Sequence, residues 1–368
     1  MSWASDIKDL DFSEYTFENV SQNPNLKEFD SDNDLVLYSY LDGITEEHKF
    51  ERMVRGMIFE KENKKLVSVT FGYTPFYDSN DPNLNTILNI NVLRDCVVNK
   101  SYEGSILKMF FYKDRWYLTT HKKLDAFTSK RSSDISLGET FFQIMNTTKE
   151  EFENKLDKDY EYLFLLQNTK LNRKVCYIEN PKVYHVGTMY NLQFVNTDIG
   201  LPVPEVIKVN SLTDLKKSVE NIDYKEAEGV IVTLPDLTRL KIYNSKYNAY
   251  SQLRGNEHSI VFRYLQIRNE KKEEYKTLYP DHVTKFEELE KKINEVISII
   301  YNMYVQRYIF KRIITVVPIY HAMLKMLHAK FIEGKANNTG LKITHEYTHN
   351  FINNLDTQSI LKLTKTVS

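Results

Sequence analysis

Two cysteines in 368 residues, Cys96 and Cys176, are too few for a disulfide framework and fit a reducing, intracellular setting. Glycine (11) and proline (9) are also sparse, and neither a repeat nor a low-complexity tract is present, so a repeat architecture is excluded. No apolar run approaches the roughly 20 residues that cross a bilayer; "IITVVPIY" is among the longest. The polar, acidic start "MSWASDIKDLDFSEY" carries no signal-peptide pattern. Nor does one sign of charge dominate. Lys and Arg total 49 against 50 for Asp and Glu, a net charge of −1, so any nucleic-acid surface must come from local clustering. These absences leave a soluble, cytoplasmic protein with no membrane partner. What is abundant is aromatic: 25 Tyr and 20 Phe, in a chain long enough for two domains.

Residues from about 50 to 268 read mainly as strands. "MVRGMIFE", "KLVSVTFGY", "SILKMFFY", "RWYLTTH", "YLFLLQN", "VYHVGTMY", "GVIVTLP" and "RLKIYN" are short apolar or alternating runs. "YKDRW" and "LPDLTRL" have the character of hairpin turns, and "SLGETFFQIMN" and "SLTDLKKSVEN" are helices opening on a capping serine. Non-local strands with a few helices predict an α+β domain over 1–268. From Asn269 the texture turns helical. The run 282–314 keeps an apolar stripe at helical spacing, and 318–334 and 343–365 read as two more helices, giving an all-helical domain over 269–368. The boundary falls in the charged stretch "RNEKKEEYKTLYPD".

Chemistry concentrates in four segments. Arg55-Gly56 lies in "MVRGMIFE"; Lys100, Glu103 and Gly104 lie in "NKSYEGS"; "YLFLLQNTKLNRKVCYIENPKVYHVGTMY" follows; and Glu228-Gly229 precedes an apolar strand and then Arg239 and Lys241. These are the groups nucleotidyl transfer needs. A lysine amine attacks the α-phosphate, and nearby cations or desolvation keep it partly deprotonated. A carboxylate such as Glu228 suits a hard Mg2+ ion. Arg239 and Lys241, two apart, share one strand face and suit phosphate oxygens. Arg55 is placed for the outgoing phosphates. The structural alternatives are a solvated turn lysine, a hairpin acid and an exposed strand face. "THKK" (120–123) serves equally as a phosphate contact or a solvated loop. "HEYTH" (345–349) satisfies a zinc-protease pattern, but little follows that would supply a third ligand, and chance explains it more simply. Tyr301, Tyr304, Tyr308 and Phe310 are read most simply as helix core, with an aromatic RNA-stacking face as the alternative.

In order and spacing, "VRGMIFE", "EGSI", "NRKV", "EGVIV" and the basic strand ending near Tyr247 resemble the RNA ligase 1 family of T-even phages. "THKKLDAF", "PKVYHVGT" and "RGNEHSIVFRYLQ" bring the resemblance nearer the ligase-like proteins of large DNA viruses, over roughly residues 50 to 270. The resemblance implies a nucleotidyltransferase fold, ATP-grasp-like antiparallel sheets with flanking helices, followed by the helical domain. It implies ATP-dependent joining of RNA ends through lysine-AMP, with ATP and Mg2+ as cofactors, as in RNA repair, in the cytoplasm of an infected cell. Carried over, Lys100 is nearest the nucleophile and Glu103 the acid beside it. Gly104, Arg239 and Lys241 belong to nucleotide binding, Glu228 to nucleotide and metal, and Arg55 to the triphosphate.

Two positions depart from that pattern. The family spacing is lysine, any residue, acid, glycine, whereas Ser101 stands three before Gly104 and Lys100 one place earlier. Leu165 follows Phe164 where the family has a glutamate. Either Lys100 works from a bulged turn, or the chain is a catalytically degenerate nucleotide- or RNA-binding module. GMP transfer and DNA ligation are weaker alternatives. A working Lys100 predicts that Lys100→Ala abolishes labelling by ATP and Ser101→Ala does not.

Overall fold

A computed structural model describes residues 11–45, 47–88, 90–130, 134–169, 173–235, 238–257 and 259–367. It divides into two compact units, 1–252 and 253–368. The division lies upstream of the 268/269 boundary read from charge, because one helix, Ile260–Leu278, runs through that stretch with only a local kink at Lys271.

The first unit is a mixed α and β structure with three sheets. β1 (Leu26–Ser31), β2 (Leu35–Tyr40), β3 (Arg55–Glu60) and β4 (Leu66–Ser68) form one antiparallel sheet in that order. Its first two strands precede residue 50, where the strand pattern was expected to begin. The "KLVSVTFGY" run yields only β4. Beyond Ser68 the chain leaves the sheet: Thr70 Oγ1 donates to the Arg55 carbonyl at 2.5 Å, and Tyr73 N to that of Arg52 at 2.6 Å.

β5 (Phe76–Asp78), β6 (Val97–Ser101), β12 (Gly229–Thr233) and β13 (Arg239–Tyr243) form a second sheet in the order β5-β13-β12-β6. All its pairs are antiparallel except β5 with β13. β7 (Gly104–Tyr112), β8 (Arg115–Thr119), β9 (Glu161–Gln167), β10 (Val183–Tyr190) and β11 (Gln193–Val195) make the third sheet, ordered β11-β10-β9-β7-β8. The "YKDRW" turn is a two-residue hairpin with Lys113 (φ 41°) and Asp114 (φ 65°) both left-handed, which matches strand twist. The β12–β13 turn closes through Leu234 N to Thr238 O at 2.9 Å; residues 236 and 237 of "LPDLTRL" lie outside the described residues.

Strand alternation decides which side chains meet. One face of the β6/β12/β13 sheet buries Val98, Val230, Val232, Leu240 and Ile242 against Leu215 and Val219 of the helix Leu212–Glu220. Ser211 caps that helix, and Ser136 with Glu139 forms a capping box on Leu137–Met145. Each aliphatic buried in this way contributes about 1.5–3 kcal/mol, so the register is strongly held. The back of the third sheet packs Leu107, Met109 and Phe164 against Phe141 and Phe142.

Described residues of the second unit form helices, among them Val283–Tyr304, Pro318–Ala336, His345–Asn353 and Thr357–Thr364. The stripe expected to continue to 314 stops at Tyr304 and passes through a π-helical turn, Val305–Ile309, into irregular chain at 311–317. Five β-branched residues, 313–317, followed by Pro318 oppose a helix there. The 343–365 segment is two helices broken at Asn354–Asp356, with Asp356 capping the second. His345 lies 3.4 Å from Ser298 Oγ and His349 contacts Asn353. Among the described residues no cluster of three His, Cys, Asp or Glu side chains could hold a metal, and no helix is long and apolar enough to cross a membrane.

One polar feature lies inside the first unit. Lys108 on β7 is buried and Glu161 on β9 is half-buried; Lys108 Nζ donates to the Gly56 carbonyl at 3.3 Å and Ser68 Oγ donates to Glu161. Burial lowers Lys108 and raises Glu161, and each charge partly supports the other. Lys108→Met is therefore expected to cost about 3–5 kcal/mol, and Lys108→Met/Glu161→Leu to regain most of it. Urea unfolding midpoints would show this, and a single variant as stable as the parent would contradict mutual support.

Candidate functional site

Both Glu-Gly pairs open a strand, and in both the glycine is sterically required. A Cβ on Gly104 would lie 2.3 Å from Leu166 O, and one on Gly229, at φ 147°, 2.0 Å from Ile242 O. The close approach brings the preceding glutamates inward, where Tyr247 Oη donates to Glu228 Oε1 at 3.0 Å and lies 3.3 Å from Glu103 Oε2. Burial, then the charges of Glu228 and Glu103, push the Tyr247 hydroxyl well above its ordinary value, so it stays a donor.

Glu103 is fully engaged. Its carboxylate accepts from Asn168 Nδ2 (2.9 Å) and from three successive backbone amides: Lys174, Val175 (2.7 Å) and Cys176 (3.0 Å). The "RKVC" stretch thus wraps an internal anion. Glu103 is a fastener in this site and is not free to act as an acid beside a nucleophile. Asn172 of "NRKV" lies outside the described residues.

Glu228 meets the side chains that reach it from the strands on either side of β12. Its Oε2 accepts from Lys241 Nζ at 2.6 Å and from Ser101 Oγ at 2.8 Å. Lys100 is not part of this group. β6 pairs with β12 in unbroken register, Ser101 opposite Gly229 and Lys100 opposite Val230. Without a bulge, consecutive residues face opposite sides. Lys100 borders the cavity, but its Nζ lies 3.7 Å from Glu226 and 3.9 Å from Glu205.

Val97, Asn99, Ser101, Ile231, Thr233, Arg239 and Lys241 line one wall of a cavity of about 720 Å³, with Ile106, Leu165 and Gly187 of the third sheet and Arg55 of β3 also lining it. Arg239 stacks over the Phe71 ring at 3.8 Å. Burial, then the like charge of Arg55, lower Arg239 to about 10, so it remains a cation at neutral pH. Arg55 Nε is buried with no hydrogen-bond partner, and no carboxylate forms an ion pair with Arg55 or Arg239 among the described residues. Two half-buried cations without a carboxylate partner among the described residues suit a polyanion. "THKK" does not line the cavity; Lys123 sits 3.9 Å from Asp30 and Lys122 over Phe29.

The donor set fits Mg2+ poorly. Both Glu228 oxygens are taken by hydrogen bonds, and Leu165 presents an apolar side chain where the resemblance calls for a second carboxylate. Sequence reasoning passed over a polar wall opposite: His185 Nε2 lies 2.8 Å from Thr188 Oγ1, itself 2.5 Å from Thr197 Oγ1. Burial holds His185 below its ordinary value, which favours the neutral imidazole. The signal for it was the alternation of "VYHVGTMY", in which a histidine takes an inward position.

No family model matches the chain. It is similar to two proteins called immediate-early protein ICP-46 homolog. That of Invertebrate iridescent virus 3 is 28% identical over 272 residues, covering 70% of this chain and 60% of that protein. That of Invertebrate iridescent virus 6 is 25% identical over 346 residues, covering 84% and 76%. The chain thus spans 60% of the first relative's length. Among solved structures, an archaeal ATP-dependent RNA ligase has TM-score 0.41 and 9% identity over 65% of this chain and 63% of its own. An Aquifex aeolicus protein provisionally assigned as an ATP-dependent DNA ligase has TM-score 0.40 and 13% identity over 69% and 66%. Likeness at this level says nothing about chemistry.

Glu103→Ala would leave three backbone amides and Asn168 Nδ2 without their acceptor, each buried donor costing about 1–3 kcal/mol. Loss of the cooperative unfolding transition of the first unit is the expected result, with Glu103→Gln milder because one oxygen remains. Parent-like urea stability of Glu103→Ala would show that the carboxylate is dispensable.

Proposed function

We propose that the first unit binds a nucleoside triphosphate, ATP by the resemblance, without forming a covalent intermediate: a nucleotide-binding module on a ligase-like scaffold. One observation carries this. The side chain that β6 directs at Glu228 and Lys241 is a serine, while the neighbouring lysine faces the other way. A serine hydroxyl is a weak nucleophile without an adjacent base, and its proton is already given to a carboxylate that Lys241 neutralises. Joining RNA ends through lysine-AMP requires an amine where Ser101 stands.

Binding has its own support. Arg55, Arg239 and Lys241 present three cations to one cavity. Phosphate oxygens would give the two guanidinium groups the anionic partner that no carboxylate among the described residues supplies. Phe71, Tyr73 and Phe194 offer aromatic surface for a base, and the His185–Thr188–Thr197 wall offers neutral polar groups for a sugar or base edge. RNA ends remain a proposed partner through the same phosphate-binding cations.

Titration calorimetry with ATP is expected to show saturable binding, and Arg239→Gln to weaken it roughly 10- to 150-fold, the range of a charge-assisted hydrogen bond. Incubation with α-labelled ATP and Mg2+ is expected to leave no acid-stable label on the protein. Lys100→Ala is expected to bind ATP as the parent does, and Ser101→Lys to be the variant that gains label. Acid-stable label on the parent that Lys100→Ala abolishes would overturn the proposal in favour of a working ligase.

A further inference from the structure

The end of the helix Val283–Tyr304 and the chain after it carry a surface that the cavity does not use. From residue 296 to 332 there is no Asp or Glu, although the whole chain has 50; the same stretch holds Arg307, Lys311, Arg312, Lys325 and Lys330. Within it the π-helical turn Val305–Ile309 ends on Lys311 at φ 54°, and the Phe310 and Arg312 amides donate to the Val305 and Gln306 carbonyls at 2.9 Å each. This turn holds residues 311–317 outside the helical core. Four large apolar side chains are consequently in water: Ile309 (60% exposed), Phe310 (58%), Ile313 (104%) and Val317 (48%). No carboxylate pairs with Arg307, Lys311 or Arg312 among the described residues; Arg312 donates to Gln306 Oε1 at 2.9 Å and lies over Phe310 at 5.5 Å.

We infer that residues 307–317 form a peripheral docking loop for an anionic lipid surface. Uncompensated cations beside exposed aliphatics are the composition that binds there: the cations meet acidic headgroups, and the apolar tips enter the boundary between headgroup and acyl chain. A second copy of the chain would bring the same acid-free, positive stretch against itself, so charge disfavours self-association. Single-stranded nucleic acid would use the cations and has Phe310 to stack on, but three of the four exposed apolar tips, Ile309, Ile313 and Val317, neither stack on bases nor hydrogen-bond to them. The amides of residues 313–317 donate to no protein acceptor among the described residues, and the hydrated headgroup zone keeps them satisfied. The absence of a long apolar run, which excluded a spanning helix, leaves this mode open because a surface loop needs none.

Flotation of the full chain with phosphatidylserine–phosphatidylcholine vesicles tests this, with pure phosphatidylcholine vesicles as the neutral arm. Binding is expected only with phosphatidylserine and is expected to weaken as salt rises. Lys311→Gln/Arg312→Gln should reduce partitioning roughly thirtyfold, from about fivefold per lost cation at the surface. Ile313→Ser with Phe310→Ser should also release the protein, while the helical circular-dichroism signal and the urea unfolding midpoint stay parent-like in both variants and report that the second unit is folded. Ile313→Trp should show a blue-shifted emission on vesicle addition. No flotation, equal flotation with neutral vesicles, or flotation indifferent to both double variants would overturn the inference. So would single-stranded RNA binding that Lys311→Gln/Arg312→Gln abolishes in a protein that ignores vesicles.

Discussion

Two buried carboxylates that share one tyrosine hydroxyl tie the first unit together. Glu103 and Glu228 open different strands, β7 and β12, and belong to different sheets. Tyr247, from the helix Ser245–Arg254, lies within hydrogen-bond distance of both. Through Glu103 the "RKVC" stretch is fastened by its backbone; through Glu228, β6 and β13 are fastened by Ser101 and Lys241. Two like charges held in low dielectric persist only because each is saturated with donors. Both carboxylates are engaged in holding the sheets.

Strand parity then decides what the cavity contains. A shift of one residue between a motif and its usual spacing is small in sequence and total in space, since it exchanges one face for the other. A bulge at "SYEG" would have cancelled it, but β6 runs in register to Ser101 and β7 starts at Gly104. The buried face under Lys100, built from Val98, Val230 and Ile242, leaves the strand no freedom to turn over. Lys100 instead borders Glu205 and Glu226 at the edge of the sheet.

Much of this was legible in the residues alone. The alternating runs that became β3, β7, β9, β10, β12 and β13 were readable because a half-buried strand writes its face into every second residue. Arg239 and Lys241 sharing a face followed from the same period. The role of Glu103 was not legible, because its partners are backbone amides 71 to 73 residues away and amides leave no mark on composition. β1 was missed because "LKEFDS" has little apolar alternation to read, whereas "LVLYSY" of β2 is a readable apolar run, buried along nearly its whole length, that was passed over. In the second unit the helical stripe of 282–304 was plain, but its end was obscured. Isoleucine and valine continue past Tyr304 as a run of hydrophobicity while their branching at Cβ argues against a helix. Periodicity alone does not separate those two signals.

The pairing of Arg55 with Arg239 has a consequence beyond recognition. Two half-buried guanidinium groups line one cavity, and burial first, then the like charge of Arg55, lowers the affinity of Arg239 for its own proton. An anion that enters removes that repulsion, so occupancy and folding are thermodynamically linked, with stabilisation growing as the logarithm of ligand concentration over its dissociation constant. If the anion is the nucleotide proposed above, the lifetime of the first unit would follow its concentration, the unliganded chain opening more often and meeting proteases sooner.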